Sequence, residues 1–241
     1  MNKHRRVLCI LPAYNEQGKI GRVVDKVLAT GQVEQVVVVD DCSTDSTSQE
    51  ATDNGAYVIT HRQNMGVGAA IRTGIDFGRD NGFDVAVIMS GDDQHEPEEL
   101  AFVLGKLFEA PGNFVQGSRR MRGGETVDAP LFRTITTRIH SLCFSILTGQ
   151  HITDSTNGFR AFYLSIFDDD GIDLDQEWLN TYELEPYLLY KAVTSTKIDV
   201  VEVPITIYYR GATREFSKMK PVRDWWRLVK PLVFLKLGLR K

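Results

Sequence analysis

Three cysteines in 241 residues, Cys9, Cys42 and Cys143, are too few and too scattered for a disulfide framework, and none sits at the paired spacing of a zinc site. Such an odd set fits a reducing compartment. Long hydrophobic runs are missing too, since no segment reaches the roughly 18 consecutive apolar residues of a membrane span. The first apolar run, residues 7–11, is too short for a signal-peptide core, so a cytoplasmic location is expected. No strong charge of either sign is present. The net is −4, which argues against a nucleic-acid binder. There is no phosphate-loop lysine motif, no Gly-x-Ser-x-Gly elbow, no His-Glu-x-x-His pair and no repeat. With 42% hydrophobic and 25% charged residues, what remains is an ordinary globular chain of one domain, or one domain with a small appendage.

The chemistry centres on residues 85–97. An apolar, β-branched run breaks at Gly91 into Asp92, Asp93, Gln94 and His95, ahead of Pro97. A buried strand whose C-terminal end carries hard oxygen ligands suits Mg²⁺ or Mn²⁺ shared with substrate phosphates. The plainer alternative is an acidic turn opening a helix, because Glu96, Glu98 and Glu99 suit the positive end of a helix dipole.

Around this stretch, strand and helix alternate. Residues 5–11 read as a strand ended by Pro12, and residues 17–29 as a helix with Ile20, Val23, Val24, Val27 and Leu28 on one side. Residues 36–39 form a continuous β-branched run of the kind covered on both faces. Asp40 to Asp45 follow, with Ser43 or Thr44 as the cap of a helix reaching Asn54, and residues 56–60 read as a third strand. Gly66-x-Gly68 superficially suggests a dinucleotide loop, but it follows the third strand and lacks a third glycine. Downstream come a helix (98–108), a strand (114–118) ending in Arg119, Arg120 and Arg122, and a Gly-rich loop (121–129). A helix (130–147) carrying Arg133, a turn-rich stretch (152–160), a helix (183–193) and a strand (200–207) follow. The pattern predicts an α/β fold, a doubly wound, mostly parallel sheet. Four polar clusters, at 12–16, 40–45, 91–95 and 117–119, then fall at successive strand ends and make one composite site, in which Asp40 or Asp41 accepts hydrogen bonds from a nucleobase or ribose.

The C-terminal end changes character. Residues 210–241 hold ten Lys or Arg against two acids, interleaved with Trp225, Trp226 and aliphatic residues. This composition suits a helix lying on a membrane surface, the alternative being a helix packed on its own domain. The expected division is a catalytic domain over 1–209 and an interfacial segment over 210–241.

Six motifs in order, Pro12-Ala-Tyr14-Asn15-Glu16, Val39-Asp40-Asp41-x-Ser43-x-Asp45, Asn64-x-Gly66-x-Gly68, Gly91-Asp92-x-Gln94-His95-x-Pro97, Gly117-Ser118-Arg119 and Asp154-x-Thr156-x-Gly158-Phe159-Arg160, resemble the family 2 glycosyltransferases of GT-A fold. The resemblance is nearest to the dolichol-phosphate (polyprenyl-phosphate) mannosyltransferase branch, including Glu202-Val-Pro204 and Ser217-Lys218, and runs from about residue 7 to 220. It implies inverting transfer of a hexose from a UDP- or GDP-linked sugar to a polyprenyl phosphate, on the cytoplasmic face of a membrane. It also implies that Pro12, Tyr14, Glu16 and Asp40, beside Asp41, line the nucleotide pocket, and that Asp92 and Gln94 hold Mg²⁺ or Mn²⁺. Arg119, Arg133, Arg210 and Lys218 would face the donor diphosphate or lipid phosphate, so that the catalytic set is Asp92, Asp154, Arg119 and Arg133. Asp154 orients arginines or acceptor, acts as a base only for a hydroxyl acceptor, or is simply an Asx-turn carboxylate. One position departs from the family's Asp-x-Asp: here it reads Ser90-Gly91-Asp92. Either Asp93 compensates, a water replaces the missing oxygen, or metal affinity falls. Transfer to a sugar hydroxyl, and a catalytically silent nucleotide-sugar-binding subunit, are the competing readings.

Overall fold

The computed structural model describes residues 5–109, 114–168, 171–209 and 221–239, with the backbone alone over 221–228. Strands β1 (Val7–Ala13), β2 (Gln35–Asp40), β3 (Tyr57–Thr60), β4 (Val85–Ile88), β5 (Phe114–Ser118), β7 (Arg160–Tyr163) and β8 (Val200–Pro204) form one seven-stranded sheet in the order β3-β2-β1-β4-β7-β5-β8. A second, two-stranded parallel sheet pairs β6 (Glu125–Val127) with β9 (Thr206–Tyr208). The helices are α1 (Ile20–Ala29), α2 (Thr47–Asp53), α3 (Val67–Asp80), α4 (Leu100–Glu109), α5 (Leu131–Thr148), α6 (Leu184–Thr194) and α7 (Pro221–Lys236).

The strands alternate sides as a pleat requires. Cys9, Leu11, Val36, Val38, Val85 and Val87 join one core with α1 and α4, whereas Leu8, Ile10, Val37, Val39, Ala86 and Ile88 join the other with α3 and α6. Burial on both faces explains why these strands read as unbroken apolar runs. Each buried Val, Leu or Ile contributes about 1.5–3 kcal/mol relative to exposure. In α1 the apolar spacing buries Ile20, Val23, Val24 and Val27 against the sheet.

Several expectations are corrected. β1 runs through Pro12 to Ala13, because proline at the end of a strand forfeits only one ladder donor. α2 begins at Thr47 rather than after Ser43 or Thr44, whose groups serve the preceding loop: Ser43 binds Asp40, and Thr44 N–H donates to Asn15 Oδ1 at 2.9 Å. Pro97–Glu99 form a single 3₁₀ turn before α4. The Gly-rich stretch at 121–129 contains β6, held by β9 and by Glu125 N–H donating to Ile205 O at 3.1 Å. The anticipated strand at 200–207 is two, parting at Ile205, so that β8 extends the main sheet while β9 turns back toward the loop after β4. Tyr208 N–H donates to Gln94 O at 2.9 Å and anchors that loop.

β7 was not anticipated. It runs antiparallel between β4 and β5, starting at the fully buried Arg160, whose guanidinium donates to the carbonyls of Asn157 (2.6 Å) and Glu185 (2.9 Å). At the other end of the chain, Leu232 of α7 is fully buried in the α3/α6 core, so the second half of α7 packs on the domain.

Candidate active site

The C-terminal ends of β1, β2, β4 and β5 open on one cavity of about 550 Å³. Its wall brings together Pro12, Tyr14 and Glu16 after β1, Asp41 after β2, Ser90, Asp92 and Gln94 after β4, Arg119 after β5, and Arg133 from the first turn of α5. Three of the non-glycine residues with left-handed backbone lie in these same strand-end turns: Asn15 (φ 52°), Cys42 (φ 65°) and Asp93 (φ 62°). Sparsely populated conformations of this kind gather where the surrounding structure holds a functional loop in place.

The loop after β4 is a tight turn clasped by His95. Ser90 N–H donates to His95 Nδ1 at 3.0 Å, which makes His95 Nε2 the protonated nitrogen, facing Asn157 Oδ1 at 3.3 Å. Burial pushes this imidazole down to about 4, so it is neutral at physiological pH. Asp92 accepts from Gln94 N–H at 3.2 Å and from the Ser90 hydroxyl, with Lys19 and Arg133 acting on it only through space. Burial raises its carboxyl above the usual range. A half-buried, partly desolvated carboxylate of this kind on the cavity wall suits a cation partner. Ser90 therefore supports Asp92 instead of occupying a ligand position of its own.

Asp93 does not take over the missing carboxylate. Its left-handed backbone turns the side chain out of the cavity toward α1, where it pairs with Arg22 (3.3 Å) and Lys26 (3.5 Å). Among the described residues no group of three or more His, Cys, Asp or Glu could enclose a metal. The oxygens of Asp92 and Gln94 fit a divalent ion that takes its remaining ligands from water and substrate phosphates.

The two aspartates after β2 separate in the same way. Asp40 lies off the cavity wall, its carboxylate bound to Ser43 and Ser48. Asp41 faces the cavity and is fixed by Met65 N–H (2.8 Å), Gly66 N–H (2.7 Å) and His61 Nδ1 (2.8 Å), with Thr73 behind the imidazole at 3.0 Å. The Gly66-x-Gly68 pair serves packing. A Cβ on Gly66 would stand 2.5 Å from Asn180 O, and one on Gly68 equally close to Thr181 O, so only glycines let the start of α3 rest on that backbone.

Arg119 is locked by Asp154. Its Nε donates to Asp154 Oδ2 (2.6 Å), its Nη2 to Asp154 Oδ1 and Thr156 Oγ1 (both 2.8 Å), and its Nη1 to the Tyr209 hydroxyl (3.0 Å). Burial alone would raise the Asp154 carboxyl, but the charge and hydrogen bonds of Arg119 outweigh it and hold the group below the usual carboxylate range. Asp154 is fully buried and off the cavity wall, which makes it an orienting group rather than a base within reach of substrate. Its turn is tied down in turn by Glu202, which accepts from Thr153 N–H (2.8 Å) and Asp154 N–H (3.0 Å). Arg133 lies over the Tyr209 ring at 5.0 Å, so one tyrosine braces both guanidiniums. Arg210 and Lys218 lie outside the described residues.

Sequence reasoning missed Asn157, Glu185 and Tyr209 on this wall. Asn157 occupies an unspecified position of the Asp154-x-Thr156-x-Gly158 motif. Glu185, in the first turn of α6, is indistinguishable in sequence from a residue placed there for the helix dipole. Glu185 approaches the buried Arg160 at 3.5 Å.

Residues 8–179 match the family profile described as Glycosyl transferase family 2. The chain belongs to that family. Among its curated relatives, this glycosyltransferase is similar to an undecaprenyl-phosphate mannosyltransferase of Micrococcus luteus, 33% identical over 85% of this chain and 84% of that protein. It is also similar to a polyprenol monophosphomannose synthase of Mycolicibacterium smegmatis (31%, covering 86% and 78%) and to a UDP-N-acetylglucosamine–dolichyl-phosphate N-acetylglucosaminyltransferase of Methanococcus voltae (29%, 96% and 96%). Its fold is that of GT-A enzymes such as the UDP complex of glucosyl-3-phosphoglycerate synthase from Mycobacterium tuberculosis, with a TM-score of 0.72 at 19% identity, covering 99% of this chain and 82% of that one. The doubly wound, mostly parallel sheet expected from the strand–helix alternation is the one observed.

Proposed function

We propose that this family 2 glycosyltransferase moves a hexose, with inversion, from a UDP- or GDP-linked sugar to a polyprenyl phosphate at the cytoplasmic face of a membrane. The observation that carries the reading is the polarity of the cavity. A half-buried Asp92 carboxylate, with no enclosing metal cage among the described residues, shares one wall with Arg119 and Arg133, an arrangement suited to anionic groups on both donor and acceptor. The three curated relatives support it, since each is named for transfer to, or synthesis of, a polyprenyl- or dolichyl-phosphate product.

In this reading Pro12, Tyr14, Glu16 and Asp41 hold the nucleoside, and Asp92 with Gln94 holds Mg²⁺ or Mn²⁺ on the diphosphate. When bound, the cation neutralises charge on the departing nucleoside diphosphate. Structures of glucosyl-3-phosphoglycerate synthase with Mn²⁺ and UDP support a divalent ion in this fold. The acceptor phosphate is already anionic at neutral pH and needs no strong base, so the protein's task is to position it in line with the anomeric carbon and to stabilise the leaving group. Arg119 has four of its five N–H groups engaged by Asp154, Thr156 and Tyr209, leaving one for a phosphate oxygen in a fixed direction. Arg133 supplies a second cation, with Arg210 and Lys218 assigned to the same task. The catalytic unit is residues 1–209 with the second half of α7 packed on it, and the basic stretch that opens the C-terminal segment at residue 210 is assigned to the membrane surface.

A hydroxyl acceptor is the second reading, favoured by one observation: Glu185 places a carboxylate on the cavity wall, where it could take a proton. Offering a short polyprenyl phosphate beside the corresponding polyprenol separates the two. Label entering only the phosphate supports the proposal, whereas label entering the alcohol, or a sugar acceptor alone, overturns it.

A further inference from the structure

Asp41 reaches the cavity wall with most of its carboxylate already engaged. An ionised carboxylate only accepts hydrogen bonds and offers about four lone-pair positions, two on each oxygen. Oδ1 takes Met65 N–H and His61 Nδ1–H, both at 2.8 Å, and Oδ2 takes Gly66 N–H at 2.7 Å. The position left open is on Oδ2.

The donors that fill the other positions come from separate pieces of chain, so the opening has a fixed direction. Met65 and Gly66 belong to the turn that leads into α3, and Gly66 and Gly68 seat that turn against the backbone of residues 179–181. His61 follows β3 and is itself held from behind. Because a carboxylate cannot donate, Nδ1 carries the proton, and Nε2 accepts from the Thr73 hydroxyl of α3 at 3.0 Å. Only 9% of the His61 side chain is exposed, so solvent competes little for these bonds. Asp41 N–H donates to Ala13 O at 2.9 Å, which ties the residue to β1 as well.

A single open acceptor selects among bases. Uracil presents one ring N–H, N3–H, between two carbonyls. Guanine presents two adjacent donors, N1–H and the exocyclic amino group, which match a carboxylate with both oxygens open. Here the second donor would point at Oδ1, whose lone pairs already face Met65 and His61, and a donor buried without an acceptor is costly. Cytosine turns an unprotonated N3 toward the carboxylate, lone pair against lone pair.

We infer that His61 is a positioning residue which, with the amides of Met65 and Gly66, leaves Asp41 one acceptor for uracil N3–H, so that the donor is a uridine and not a guanosine diphosphate sugar. The inference rests on the assignment of Asp41 to the nucleoside and deepens it by naming the base.

The test is calorimetric titration of the full chain, with Mg²⁺, by UDP, GDP and CDP. These share ribose and diphosphate, so the cation and the arginines act alike on all of them. UDP is expected to bind at least about tenfold more tightly than either of the others. GDP binding as tightly as UDP, or more so, overturns the inference and leaves the nucleoside assignment standing. UDP and CDP binding alike overturns it too, since Asp41 would not be reading N3–H. Binding of none of them overturns the assignment and the inference together. His61→Asn keeps an N–H close to the place of Nδ1, whereas His61→Leu keeps none. The asparagine variant should hold the preference for UDP to within about threefold of the wild type, and the leucine variant should lose it. A merely structural defect would weaken all the nucleotides alike and leave their ratios unchanged. Preferences that survive in both variants, or vanish in both, overturn the role of His61.

Discussion

The clasp between His95 and Ser90 predicts a measurable acid sensitivity. His95 is buried and neutral, its imidazole pushed down to about 4, against an unfolded value of about 6.5. Between these two values the unfolded chain binds a proton that the folded chain refuses, so stability is lost as pH falls through that window. With those two values the loss from pH 7 to pH 5 comes to about 2 kcal/mol. At a urea dependence of about 3 kcal/mol/M, it moves the unfolding midpoint down by roughly 0.6 M. Asp92, raised by burial, works in the opposite direction, but it is present in both chains of the comparison and cancels. His95→Gln keeps a neutral acceptor for Ser90 N–H and has nothing to titrate. Urea unfolding of the two chains at pH 7 and pH 5, with chelator present, should show a midpoint shift smaller in the variant by that amount. Equal shifts would refute the reasoning and place the proton elsewhere.

Asp154→Ala leaves the Arg119 guanidinium buried without its carboxylate and should destabilise the protein by about 3–5 kcal/mol in chemical unfolding, with Asp154→Asn milder and transfer lost in both. Gly68→Ala drives a methyl into the carbonyls of Leu179 and Thr181 and should cost at least about 1–3 kcal/mol by thermal unfolding. Gly105→Ala, inside α4 with open space around it, should instead stabilise by about 0.5–1 kcal/mol. A strong chelator should stop transfer, and Ser90→Asp should lower the Mg²⁺ concentration for half-maximal rate, because a second carboxylate would join Asp92; an unchanged metal titration would show that Ser90 costs nothing.

Much of this architecture is legible in the chain because the sheet is covered on both faces. Residues 36–39 and 85–88 read as strands from their apolar continuity alone, and the strand-end clusters then had to converge. What escaped depended on partners far away in sequence. β7 starts with Arg160, which resembles the end of a polar turn until the carbonyls of Asn157 and Glu185 are placed around it. β6 consists of three largely exposed residues that form a strand only because β9 passes beside them. Adjacent carboxylates were likewise indistinguishable: Asp40 from Asp41, and Asp92 from Asp93, differ in which way a short turn aims them. Leu131, Ile135, Ile139, Leu142 and Ile146 of α5 have the spacing of a core-facing helix side yet are exposed, and only the bonds of His140 and Ser141 to Ser155 reveal that the opposite side faces inward.

The central claim is that the Asp92–Arg119–Arg133 cavity transfers sugar from a nucleoside diphosphate to a lipid phosphate. Its most direct test offers a panel of radioactive UDP- and GDP-sugars with Mg²⁺ or Mn²⁺ and a short polyprenyl phosphate, and counts label moving into organic solvent. The account predicts counts from one donor, abolished in Asp92→Ala. Nucleotide binding without counts from any donor would contradict it and leave a silent binding subunit or a hydroxyl-directed enzyme in its place.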